Sequence, residues 1–219
     1  MSRASIAVDE ELHDYMVAHG TPPDAVMRDL AEETLRMLPK QAGMQIAPEQ
    51  SAFLTFLARI VGVRHGVEIG TFTGMSALSI ARGMADDGRL VCFDVSEEYT
   101  SVARRYWERD GKADKIELRI GDAKEELKAL PSEPHVDMAF IDADKTGYLT
   151  YWEELMPRMR PGGVVVVDNV FQGGRVVDRK DHAENVVAIR EFNEQVASDV
   201  RVDVSMIPVA DGLTLARKR

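Results

Sequence analysis

Cys92 is the only cysteine in the 219 residues, so no intrachain disulfide can form. That excludes a small disulfide-framed fold and suits a reducing, cytoplasmic compartment. Cys92 sits inside the apolar run Leu90–Phe93 and reads as a buried structural thiol rather than a nucleophile. The chain has no cysteine pair, and His13, His19, His65, His135 and His182 lack ligand spacing, so a zinc centre is not expected. Positive charge is also short: 27 Lys and Arg stand against 37 Asp and Glu, a formal net charge of −10. Phosphate backbones and anionic membranes would be repelled, and there is no basic block or RNA-binding signature, so neither nucleic acid nor membrane is an expected partner. No run is long enough to span a bilayer, and Met1–Met16 carries acids where a signal peptide needs an apolar core. Internal repeats and low-complexity segments are missing as well.

The length suits one α/β domain with a full core. The first forty-odd residues read as helices without strands: Asp9–Ala18, then Pro23–Leu38 with Val26, Leu30, Leu35 and Leu38 as an apolar stripe. Met16, Met27, Met37 and Met44 read as plain core, or as a cap or dimer surface. A third helix follows Pro48. Strands at Val67–Gly70, Leu90–Asp94, Ile116–Ile120, Val136–Asp142 and Val164–Asp168 then alternate with helices at Ser76–Met84, Glu97–Arg109, Lys124–Leu130, Tyr148–Met159 and Glu184–Ser198. Val200–Ile207 and Leu213–Ala216 close the chain as a hairpin. Such alternation predicts parallel βαβ units in a doubly wound sheet, the hairpin adding one antiparallel strand. Ligands in these sheets sit beyond the carboxyl ends of the strands.

Glu68-Ile69-Gly70-Thr71-Phe72-Thr73-Gly74-Met75-Ser76 leads from the first strand into a helix. Gly70 permits a tight turn close to a ligand, and Gly74 relieves crowding between helix and strand. The spacing is neither the three-glycine dinucleotide fingerprint nor a P-loop. Glu68 stands where a pyrophosphate binder avoids negative charge and where an ammonium or sulfonium would be welcome. Asp94 ends the second strand, the usual place for an acid accepting from ribose hydroxyls, and Gly121-Asp122-Ala123 ends the third, where an adenine edge can be read. Each has a plainer reading: Glu68 a solvated acid, Asp94 a helix N-cap, Asp122 a turn residue. In this order on successive strands they favour a positively charged nucleoside, and S-adenosylmethionine fits.

Phe140-Ile141-Asp142-Ala143-Asp144-Lys145 closes the fourth apolar run and Asp168-Asn169 the fifth. Neighbouring strand ends would offer oxygen-bearing side chains and one lysine to a single crevice, a hard-metal site with a base beside it. The alternative is a helix N-terminus with capping acids and a snorkelling lysine.

Taken together, the chain resembles the bacterial cation-dependent O-methyltransferases, the group related to catechol and caffeoyl-CoA O-methyltransferases. The likeness runs from Met44-Gln45-Ile46-Ala47-Pro48-Glu49-Gln50 through Glu68–Ser76, Phe140–Lys145, Tyr148, Tyr151, Pro161-Gly162-Gly163 and Asp168-Asn169 to Asp211-Gly212-Leu213-Thr214. The glycine loop is superfamily-specific; Asp142 with Asp168-Asn169 and Lys145 is family-specific. The resemblance implies a Rossmann-like class I methyltransferase fold with a seven-stranded sheet, residues 1–47 forming a helical extension and 48–219 the methyltransferase domain. It implies Asp142, Asp168 and Asn169 as ligands of a divalent cation, Mg²⁺ first, with Mn²⁺ or Ca²⁺ as alternatives. Lys145 would be the base. Ile46, Glu68, Gly70, Thr71, Ser76, Asp94, Asp122, Ala123, Asp142 and Asp144 would surround S-adenosylmethionine, and Tyr151, Phe171 and Gln172 would stand near a hydroxylated small-molecule acceptor. Members are commonly homodimers.

Three positions depart from the bacterial pattern: Gln172 where Trp is usual, Met75 where Tyr is common, and Ser51 where Gly is. The first weakens an aromatic clamp on the acceptor, which Phe171 partly replaces. With no basic cluster for a CoA tail, a catechol-like vicinal diol is the expected acceptor, and a hydroxyl on a larger specialised metabolite such as a polyketide is the alternative. Other readings are a metal-independent methyltransferase, a nicotinamide-dependent oxidoreductase, which the missing glycine fingerprint opposes, and a non-catalytic binding module on the same scaffold.

Overall fold

The structure, a computed structural model, describes residues 6–219. Residues 1–5 of the expected N-terminal extension lie outside the described residues. Eight α-helices and seven strands are described: α1 Glu10–His19, α2 Ala25–Met37, α3 Pro48–Val61, β1 His65–Ile69, α4 Met75–Gly83, β2 Arg89–Asp94, α5 Glu97–Arg109, β3 Ile116–Ile120, α6 Ala123–Glu126, β4 Val136–Ile141, α7 Tyr148–Leu155, β5 Met159–Asp168, α8 Glu184–Ser198, β6 Val202–Ile207 and β7 Leu213–Lys218. The helices start where side chains replace missing backbone partners. Asp24 accepts from the Met27 amide at 3.0 Å and Ser96 from that of Tyr99 at 3.2 Å, while Pro48 opens α3.

The strands form one sheet in the order β3-β2-β1-β4-β5-β7-β6. β7 is antiparallel to both neighbours, β5 and β6, and is the only reversed strand among the described residues. Chain order reverses between β1 and β4, so a crevice opens at their carboxyl ends. One face of the sheet packs Leu54, Leu78, Leu90, Cys92 and Phe140 with α2 to α5, and the other packs Ile69, Phe93, Ile141, Trp152 and Phe192 with α7 and α8. Removing each of these large side chains from water stabilises the fold by roughly 1.5–3 kcal/mol. Met27 joins the core, whereas Met16, Met37 and Met44 are exposed. Among the described residues, no helix is long and apolar enough to cross a membrane.

The helix expected over Lys124–Leu130 is α-helical only over Ala123–Glu126 and continues as a 3₁₀ turn to Ala129, and the boundary between α7 and β5 also differs from the sequence expectation. The helix predicted over Tyr148–Met159 ends at Leu155, and Pro161-Gly162-Gly163 lies within β5. The Arg158 carbonyl accepts from the amides of His135 and Val136, drawing the chain into the sheet early. A break in the β4–β5 register absorbs Pro161 and the left-handed Gly162 (φ 80°). A Cβ on Gly163 would meet the Val136 carbonyl at 2.9 Å, so this close approach requires glycine.

Candidate functional site

The expected site residues stand in a row at the carboxyl edge of the sheet because the pairing registers end together. Ile69 pairs with Phe93 and Ile141, Asp94 with Ile120, and Ile141 with Val167. The next residues are therefore neighbours: Gly121, Asp94, Gly70, Asp142 and Asp168. Backbone bonds continue the stitching, from Gly70 to the Phe93 carbonyl (2.9 Å), Asp142 to Ile69 (2.8 Å) and Gly121 to Asp94 (2.9 Å). Above this row opens a cavity of about 920 Å³.

At its β1–β3 end the wall includes Gly70, Thr71, Ser76, Asp94, Asp122 and Ala123, with Ile46 contributed by the segment before α3. Gly70 (φ 89°) serves a backbone crossing: a Cβ there would lie 2.0 Å from the Asp142 carbonyl oxygen. Gly74 (φ 85°) likewise makes room for α5, where its Cβ would meet that of Ala103 at 2.5 Å, so the crowding is between helices rather than between helix and strand. Asp94 accepts from the amides of Thr71 (2.9 Å), Phe72 (2.8 Å) and Ser96 (2.7 Å), holding the glycine loop against β2. Ser96, not Asp94, is the N-cap of α5. Asp122 caps α6 through the Lys124 amide at 2.9 Å.

Glu68 is fully buried, not solvated, and is absent from the cavity wall. Among the described residues neither of its carboxylate oxygens has a hydrogen-bond partner. Burial pushes its pKa up to about 7, which nearby Ser76, Cys92 and Thr71 only partly offset. Burial and the adjacent Glu68 also raise the Cys92 thiol well above its ordinary value, consistent with an inert thiol.

At the β4–β5 end, Lys145 Nζ donates to Asp142 Oδ1 at 2.9 Å and to the Tyr148 hydroxyl at 2.6 Å. Tyr148 in turn donates to the Asp168 carbonyl at 3.0 Å. Asp168 accepts from the Asn169 amide on Oδ1 (2.6 Å) and from Gln50 Nε2 on Oδ2 (2.8 Å). Burial, then the charge of Asp142, pushes Asp168 up to about 7. Asp144 takes Lys124 Nζ at 3.0 Å and a short bond from the Tyr151 hydroxyl. Although burial opposes it, these donors hold its carboxyl below the usual range. Asn169 adopts a left-handed backbone (φ 57°). Among the described residues no three His, Cys, Asp or Glu side chains converge as a metal cluster. The expected donor set has two carboxylates, its third member being the Asn169 amide.

A family model described as O-methyltransferase matches residues 18–219. The chain belongs to the O-methyltransferase family. A protein of Dictyostelium discoideum named as a caffeoyl-CoA O-methyltransferase is 37% identical over 97% of this chain and 94% of its own length. The O-methyltransferase from Bacillus cereus, solved with SAH, superposes with a TM-score of 0.86 at 31% identity, covering 95% of this chain and 97% of that one. TomG from Streptomyces achromogenes, involved in tomaymycin synthesis and solved with SAM, gives a TM-score of 0.87 at 30% identity, covering 95% and 96%. The sheet order and the helices on both faces are those of a class I methyltransferase.

In this O-methyltransferase the cavity joins all the expected site residues except Glu68, Phe171 and Gln172. Phe171 packs against Gly212, where a Cβ would lie 2.3 Å from its ring, and Gln172 (φ 50°) turns its side-chain amide back to the Asn169 carbonyl at 3.0 Å. Phe72 and Tyr99, in edge-to-face contact at 5.1 Å, line the cavity without having been expected there. Gln45 and Gln50 are further polar members of the wall, and buried Tyr148 stands behind Lys145; in the sequence all three were only letters of a motif, with nothing to assign them a contact.

Proposed function

We propose that this enzyme transfers the methyl group of S-adenosylmethionine to a hydroxyl of a catechol-like vicinal diol with the help of a hard divalent cation, Mg²⁺ first. The observation that carries the reading is the pair Asp142 and Asp168 beside Lys145: two carboxylates in partly dry surroundings, one raised to about 7 by burial and by the other's charge. Such a pair is relieved by a cation, and two carboxylates with an amide oxygen suit Mg²⁺, Mn²⁺ or Ca²⁺. Similar O-methyltransferases solved with SAH and with SAM support the donor.

When bound, the donor supplies an electrophilic methyl group and the cation stabilises the acceptor's oxyanion. The residues of the chain supply position and proton transfer. Asp142, Asp168 and Asn169 are the ligand set. Ile46, Gly70, Thr71, Ser76, Asp94, Asp122, Ala123 and Asp144 surround the donor, and buried Glu68 places negative charge near its sulfonium. The amine form of Lys145 Nζ takes the hydroxyl proton, held in place by the Tyr148 hydroxyl, which is itself tied to the β5 backbone. Tyr151 borders the acceptor end. Phe171 and Gln172 lie outside the cavity wall, so Phe171 does not replace the aromatic clamp that the usual Trp would supply. That favours, as a second reading, a hydroxyl on a larger specialised metabolite. The reading also takes the enzyme as cytoplasmic and homodimeric, with residues 1–47 a helical part of the domain completed by 48–219. Exposed Tyr15, Met16, Phe56 and Ile60 on α1 and α3 support a dimer surface.

The test is methyl transfer from labelled donor to a panel of ortho-diphenols and aliphatic diols, before and after dialysis against EDTA and with Mg²⁺ restored. Activity on ortho-diphenols that falls with EDTA and returns with Mg²⁺ is expected; full activity without metal overturns the cation's role. Asp168→Ala loses metal binding, whereas Lys145→Ala keeps both ligands and slows transfer by about 10²–10⁴-fold.

A further inference from the structure

We propose that Gln50 is a positioning residue that fixes the plane of the Asp168 carboxylate and thereby sets the affinity of the site for its divalent cation. The inference rests on the reading of Asp168 as a cation ligand. Gln50 lies in the first turn of α3, is 1% exposed and borders the cavity. Burying a side-chain amide costs about 1–3 kcal/mol unless it is hydrogen-bonded, and α3 otherwise buries Ser51, Leu54 and Ala58. Its bond reaches across 118 residues, Nε2 donating to Asp168 Oδ2 at 2.8 Å. A carboxylate that holds a cation is ionised and acceptor-only, so Nε2 faces it and Oε1 points away.

Asp168 therefore receives one donor on each oxygen, the Asn169 amide on Oδ1 and Gln50 on Oδ2. Rotating the carboxylate breaks both bonds, and each oxygen keeps a lone pair free for a cation. The segment that leads into α3 is also held. The segment Gly43–Ala47 before α3 lines the cavity, and Gln45 Nε2 donates to Thr73 Oγ1 at 3.0 Å and to Thr34 Oγ1 at 3.1 Å. The start of α3 is thus tied to the glycine loop at one end and to Asp168 at the other. Partners that orient metal ligands in this way typically change metal affinity by about 10–100-fold when removed.

The experiment uses the full chain with Gln50→Met and Gln50→Leu, either of which decides the matter if it folds. Mn²⁺ alone is titrated by calorimetry and by the electron paramagnetic resonance of the bound ion, with S-adenosylhomocysteine affinity and the thermal midpoint measured in parallel. The expected result is Mn²⁺ binding weakened by about 10–100-fold with an altered resonance spectrum, while S-adenosylhomocysteine affinity stays within about twofold of the parent. Mn²⁺ affinity and spectrum unchanged in a folded variant overturns the role of Gln50 and leaves the metal reading intact. A parent enzyme that binds no Mn²⁺ overturns both. Parallel loss of Mn²⁺ and S-adenosylhomocysteine binding means a structural role and also overturns the proposal.

Discussion

Replacing Gly70 with alanine tests whether the close approach of the chain after β1 to that after β4 underlies the whole site. The added Cβ would lie 2.0 Å from the Asp142 carbonyl oxygen, 2.6 Å from its carbon and 3.0 Å from the Ala143 nitrogen. All three are backbone atoms, so no side chain can swing aside. A left-handed φ costs an alanine about 1–2 kcal/mol. Separating the strand ends adds about 1–3 kcal/mol of overpacking strain. It also endangers the Asp142–Ile69 bond (2.8 Å), worth about 0.5–1.5 kcal/mol. The expected loss is about 3–6 kcal/mol, a large share of an ordinary stability of about 5–15 kcal/mol. Gly173→Ala is the control: its φ is 64°, and nothing among the described residues lies within 4 Å of the added Cβ. It should lose only the backbone cost of about 1–2 kcal/mol. Urea unfolding of both ligand-free variants, extrapolated linearly, reads the difference. Equal losses in the two variants refute the steric argument. Because Asp142 follows the displaced backbone, Gly70→Ala should also weaken S-adenosylhomocysteine binding, by calorimetry, far more than Gly173→Ala does.

Three further outcomes are expected. Glu68 has a folded-state pKa raised from 4.5 to about 7, so its stabilising contribution is full below about 4.5 and is lost as pH rises through about 7. Ligand-free Glu68→Gln should therefore match or exceed the parent's thermal midpoint at pH 8 while binding S-adenosylmethionine more weakly; a midpoint well below the parent's at pH 8 contradicts the dry, unpartnered carboxylate. Asp137 accepts from the amides of Arg64 and His65, both at 2.8 Å, and from the Arg160 guanidinium. Burial works to raise its pKa, but these donors hold it below 3.8, so its contribution is present above that value and fades as pH falls through the lowered one. Asp137→Asn should cost about 1–3 kcal/mol at pH 7 in urea unfolding, with the gap narrowing as pH falls below 3.8. Tyr148→Phe removes the hydroxyl between Lys145 and the Asp168 carbonyl and should slow methyl transfer with S-adenosylhomocysteine affinity unchanged; an unaltered rate refutes its part in holding Lys145.

The strands and helices were readable because their signal is local. Met138–Ile141 is an unbroken apolar run, and the strand Val136–Ile141 that contains it is buried at every position. The boundary at Leu155 was not readable, since the pull on the chain comes from the amides of His135 and Val136 at the start of β4. Asp94 was legible as a strand-end acid, but its bonds to Thr71 and Phe72 depend on how the glycine loop folds back. Glu68 was read as a neighbour of the donor, with a solvated acid as the plainer alternative, yet it is fully buried and off the cavity wall. Phe171 and Gln172 belong to a loop whose direction is set by packing on Gly212, far along the chain.

The sequence by itself determined the order of elements, the turn residues at each strand end, and a supply of hard oxygen ligands with one lysine close by. Periods of two and 3.6 residues and the chemistry of single side chains carry that much. Only the tertiary structure decided which strand ends are neighbours, that Glu68 is dry, and that Gln50 reaches Asp168. The reason is that a parallel sheet pairs strands far apart in the chain, and the direction of a buried side chain follows from what packs around it rather than from its own neighbours in sequence.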